Sequence, residues 1–205
     1  DLEEKIVSAE KLAIGWIETR TAKEMLLYNQ LVDITSAIID QAFSAEVITP
    51  GKTTTDDIVW WLRQKVTSLG LETWFHPTID IQRNKEALQS HIYSFTKGEK
   101  QKTVLPGDLL HCDFGITYIS LNTDCQRHAY VLKSGETQVP RFLANAFAKG
   151  NQVQDIFTSN FKTGRTGNQI LAMSLKKARD KGLRPSIYTH PLGTYGHSSG
   201  TTLGM

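Results

Sequence analysis

The stretch Leu109-Leu-His-Cys-Asp-Phe-Gly-Ile-Thr-Tyr-Ile-Ser-Leu-Asn-Thr-Asp-Cys125 decides the reading of this chain, because it folds an acidic residue into apolar sequence twice within a short distance. Pro106-Gly-Asp108 is a turn that leads into it, and residues 123–132 form a second strand-like run ended by Lys133-Ser-Gly-Glu136, so the whole reads as a β-hairpin. With a turn centred between Tyr118 and Ile119, Asp113 falls directly opposite Asp124 on one sheet face. Asp113 also lies inside an apolar run, where a carboxylate is costly unless it is paired or coordinated. Two carboxylates at one spot must share a proton or be neutralised by a cation. A hard divalent ion suits such oxygen donors, and an added imidazole widens the choice from manganese to cobalt, iron or zinc.

The same register sets Cys112 opposite Cys125 on the other face, where they are expected to be free thiols. His111 shares the face of Asp113 and reads as a hydrogen-bonded structural ring, with a supporting role beside the metal as the alternative. His128 falls near the strand end, where an exposed position is expected.

Outward from the hairpin the pattern is mixed. Apolar residues recur at helical spacing over residues 2–16, and Thr21-Ala-Lys-Glu24 opens a longer helix toward Phe43. Thr49-Pro-Gly-Lys-Thr53 is a turn, and Thr54-Thr-Asp-Asp57 caps a third helix that ends at Gly70. Within it, adjacent Trp60 and Trp61 point about 100° apart, so at least one ring faces the core. Residues 72–81 read as a strand and 82–103 as a long polar loop of the kind that often lines a site. A helix is expected over 138–160, another from the Thr166-Gly-Asn-Gln169 cap to Lys181 with Gly182 just beyond, and a strand over 186–189. Helix pairs followed by strands thus occur twice, which hints at a duplicated α+β layout.

Bulk properties exclude more than they name. The chain has 205 residues, 40% of them apolar, which suffices for one sizeable core. A formal net charge of +2 gives no field that selects nucleic acid or an acidic membrane. No apolar run reaches the roughly 18 residues of a membrane span, and two cysteines are too few for a disulfide scaffold, so a cytoplasmic protein is expected.

His111-Cys-Asp-Phe-Gly115 with Asn122-Thr-Asp124 resembles the metal-binding hairpin of the pita-bread metallopeptidases, the group of aminopeptidase P, prolidase, methionine aminopeptidase and the metal-free creatinase. Gly196-His-Ser-Ser-Gly200 matches that group's next element, a histidine in a Gly-His-x-x-Gly turn. The leading helices, the Pro50-Gly51 turn and the paired tryptophans are similar too, and the likeness is greatest to the Xaa-Pro branch. The resemblance implies an α+β pita-bread fold over 1–205, a single catalytic domain truncated at both ends. It also implies two divalent metal ions, manganese first, held in part by Asp113, Asp124 and His197. Two glutamate ligands are expected beyond the end of the chain. It further implies exopeptidase action through a metal-activated water on peptides with proline in second place, room for a homodimer, and no nucleic-acid or membrane partner. Ser198 and Ser199 depart from the family, which more often has glycine after the histidine. His91, with His76 as competitor, is the candidate for stabilising the tetrahedral intermediate, and His190 a candidate substrate contact. An inactive pita-bread binding module and a creatinase-like hydrolase are the competing readings.

Overall fold

The computed structural model describes residues 3–83, 102–189 and 201–204. A short 3-10 turn, Glu3–Lys5, and α1 (Glu10–Glu18) open the chain where one helix over 2–16 is expected. Helix α2 (Ala22–Ala42) begins at a capping box in which Thr21 accepts from the Glu24 amide and Glu24 accepts from the Thr21 amide. Thr54 and Asp57 do the same for α3 (Thr55–Ser68), which stops before Gly70 at φ 68°, a left-handed geometry that suits glycine. Both helices thus start where the capping pattern places them.

The buried positions of α2, Leu31, Thr35, Ile38, Ile39 and Ala42, fall on one stripe, and those of α3 include Ile58, Val59, Leu62 and Val66. Trp61 packs on this core while Trp60 stays exposed, which resolves the tryptophan pair. The helices cover one face of a three-stranded antiparallel sheet of order β1-β2-β5, built from β1 (Thr78–Gln82), β2 (Leu109–Phe114) and β5 (Cys125–Tyr130). Only the last part of the expected strand over 72–81 joins the sheet; Glu72 instead makes one bridge to Thr117.

Between β2 and β5 the chain forms a small second ladder, β3 (Thr117–Tyr118) with β4 (Leu121–Asn122), closed by Ile119 and Ser120. Both turn residues have positive φ, 47° and 61°, the signature of a two-residue primed hairpin turn. The turn centre therefore lies one residue later than the sequence suggests.

The expected long loop over 82–103 is described only at its two ends. There Arg83 donates to both oxygens of the buried Asp108 carboxylate, at 2.7 and 2.9 Å, and to the Thr103 carbonyl at 2.7 Å. The Leu105 amide adds a third donor to Asp108, so this carboxylate is both paired and hydrogen-bonded.

The later part repeats the order helix, helix, strand. Helix α4 (Arg141–Thr158) and α5 (Gly167–Asp180, capped by Thr166 and Gln169) pack with β6 (Ser186–Thr189) around Phe157, Ile170 and Ile187. Strand β6 pairs antiparallel with β7 (Thr201–Gly204). Asn160 joins the two helices by donating to the Ile156 carbonyl and to Ser174 Oγ. Among the described residues no helix is long and apolar enough to cross a membrane.

Candidate metal centre

Strand β2 alternates strictly. Leu110, Cys112 and Phe114 are fully buried toward the helices, which leaves His111 and Asp113 on the opposite face. One row of that face runs Asp80, His111, His128 across the three strands, and the next runs Thr78, Asp113, Gln126. Asp113 is therefore opposite Gln126, and not opposite Asp124 as the sequence reading has it. The displacement is two residues, and side chains change face every one, so Asp124 keeps the face of Asp113 and approaches it diagonally. Cys112 likewise faces Arg127 rather than Cys125, and both thiols are free.

Burial raises the Asp113 carboxyl from 3.8 to about 6, and the neighbouring Asp124 carboxylate adds to the rise. Asp113 Oδ1 is buried and has no hydrogen-bond partner. Such an orphaned acceptor, beside a second carboxylate, is what a bound divalent cation would satisfy, so these two residues fit a metal as two of its ligands. Among the described residues no three His, Cys, Asp or Glu side chains converge as a complete ligand set.

The two histidines beside this pair are shifted in opposite directions. At His111 burial opposes the charged ring, but Asp80, 3.8 Å from Nδ1, Gln126, 3.1 Å from Nε2, and the field of Asp113 outweigh it and raise its pKa. His128 stacks on it with ring centroids 5.0 Å apart, and burial followed by the His111 charge pushes His128 down to about 4. His128 is thus half-buried rather than exposed. His111 has the hydrogen-bonded environment expected of it.

His91, His190 and His197 lie outside the described residues. His76 precedes β1 and is exposed, with Nδ1 2.9 Å from Arg63 Nη1 and its ring edge-on to Trp60, so it belongs to the α3 surface. Sequence reasoning missed Asp80. Its flanking Ile79 and Ile81 are buried, and starting the strand at Thr78 would have placed Asp80 on the carboxylate face by alternation.

The family model for metallopeptidase family M24 matches residues 27–205. No curated protein matches the chain. Solved structures with the same fold include an X-Pro aminopeptidase from Thermotoga maritima, with TM-score 0.65 and 18% identity, covering 84% of this chain and 45% of that one. An Xaa-Pro dipeptidase from Bacillus anthracis gives 0.64 and 19%, covering 86% and 45%. A prolidase from Pyrococcus furiosus gives 0.61 and 16%, covering 94% and 56%. The present chain thus spans about half the length of each. The chain belongs to metallopeptidase family M24 and has the α+β pita-bread fold.

Proposed function

We propose that this member of metallopeptidase family M24 carries part of a metal-dependent exopeptidase that removes the N-terminal residue from peptides with proline in second place. The observation that carries the proposal is the buried, unbonded oxygen of Asp113 beside Asp124, in a chain matched by a metallopeptidase family over most of its length. The Xaa-Pro preference draws on the named activities of the structural neighbours, the aminopeptidase and the dipeptidase.

Asp113 and Asp124 would hold the metal, joined by His197 on the strength of its Gly-His-x-x-Gly sequence motif. A divalent ion held there would supply a Lewis acid and would lower the pKa of a water available as nucleophile. Burial and Asp124 keep the Asp113 carboxyl protonated up to about pH 6 in the metal-free protein, and metal binding there would require it to give up that proton. His111, held by Asp80 and Gln126, has its pKa raised, and in its protonated form it would reduce the cost of the negative charge on Asp113. His91 and His190 are assigned to the tetrahedral intermediate and the substrate backbone, from their family-like positions in the sequence. The oxygen-rich pair favours manganese, with cobalt, zinc or iron admitted by the imidazole. A cytoplasmic setting belongs to the same proposal, supported by two thiols left free.

The test is release of the first amino acid from an Xaa-Pro peptide by the full-length protein with manganese, cobalt or zinc. Release that stops on chelation is expected. Peptide binding without release under every metal would instead establish the inactive binding module.

A further inference from the structure

One buried residue next to the candidate metal pair has all of its polar groups engaged by other parts of the chain. Thr123 is fully buried. Its amide donates to the Ile116 carbonyl at 2.9 Å, and its carbonyl accepts from the Trp74 indole N–H at 2.7 Å. Its hydroxyl accepts from the Ile116 amide at 3.0 Å and lies 2.8 Å from the hydroxyl of Thr35, on the buried stripe of α2. Thr35 in turn donates to the Leu31 carbonyl at 2.7 Å.

A hydroxyl has a single hydrogen to give. That of Thr35 goes to Leu31, so in the bond between the two threonines Thr123 is the donor. The relay is therefore directional: the Ile116 amide donates to Thr123, Thr123 to Thr35, and Thr35 to Leu31. Valine would fill the same space at either position, so packing alone does not call for two hydroxyls there.

The residue that follows this fixed point is Asp124, which is exposed and precedes the first paired residue of β5, Cys125. Its place is set by the peptide before it. Two carboxylates side by side repel, and an exposed one would turn toward water when no cation is bound. Resting on the metal-binding reading above, we infer that Thr35 and Thr123, with Trp74, are positioning residues that hold Asp124 diagonal to Asp113 before the cation arrives. Part of the ordering that metal binding would otherwise require is built into the helix-to-hairpin contact.

The experiment is calorimetric titration of Mn²⁺ alone into the full-length, chelator-stripped protein, with the melting temperature of each metal-free variant measured in parallel. Thr35→Val should weaken Mn²⁺ binding by about 10-fold, as loss of such supporting contacts does. Trp74→Phe, which removes the indole donor to the Thr123 carbonyl together with part of the ring packed on Phe75, should act in the same direction, and Thr35→Ser, which keeps the hydroxyl, should bind like the wild type. A lower melting temperature with unchanged Mn²⁺ affinity in folded Thr35→Val overturns the inference. Should Thr35→Val not fold, unchanged affinity in Trp74→Phe overturns it instead. Absence of Mn²⁺ binding by the wild type overturns the metal-site reading itself, a separate result.

Discussion

Asp124 meets Asp113 on the diagonal of the β2–β5 ladder, while Gln126 stands directly across from it. A carboxyl group in that position is pulled two ways. Burial and its acidic neighbour favour the protonated form, whereas a cation would favour the charged one.

Without metal, the raised Asp113 pKa makes a contribution to stability that is complete below the ordinary carboxylate value and lost as pH rises through about 6. Asp113→Asn has no such titration. The stability difference between wild type and Asp113→Asn in chelator should therefore shift against the wild type between about pH 4 and pH 6, as read by urea unfolding at several pH values. A difference that stays flat across that interval would contradict the burial assigned to this carboxyl.

His128 carries the opposite sign. Its folded pKa lies below the ordinary 6.5, at about 4, so its contribution is present above 6.5 and lost as pH falls through 4. The two effects partly cancel in the wild type over the shared interval, and single variants are needed to see either. In imidazole NMR titrations His128 should stay neutral to about pH 4, and His111→Gln should move it upward without restoring 6.5, since burial is the larger cause. A His128 that titrates normally would show that its ring is solvated.

Gly115 stands where β2 leaves the sheet, and a Cβ there would run into the Thr123 carbonyl, the Trp74 indole nitrogen 2.6 Å away and the Phe75 ring 2.8 Å away. Backbone on one side and two rings on the other cannot all retreat. Gly115→Ala should cost about 1–3 kcal/mol by the usual penalty of overpacking, measured by chemical denaturation. Wild-type stability in that variant would mean that the turn around Thr123 is looser than described.

Much of this arrangement is legible in the sequence because it depends on short-range chemistry. Thr21, Thr54 and Thr166 each cap the helix that the spacing assigns to them, since a capping box is a local hydrogen-bond pattern. The shared face of Asp113 and Asp124 is legible for a different reason: strand alternation has a period of two and survives an error of two in register. The register itself was hidden because Ile119 and Ser120 adopt positive φ without the glycine or asparagine that normally marks such a turn. The Thr35–Thr123 contact was hidden because its partners are 88 positions apart, and nothing in either hydroxyl announces the other. The resemblance to the pita-bread enzymes supplied the fold; alternation and charge burial independently supplied the carboxylate pair.

Elemental analysis of the full-length protein and of Asp113→Asn tests the central claim most directly. About two transition-metal ions per chain are expected in the wild type, as in two-metal hydrolytic sites, with their loss in a variant that remains folded. Metal content that is the same in wild type and folded Asp113→Asn would contradict it.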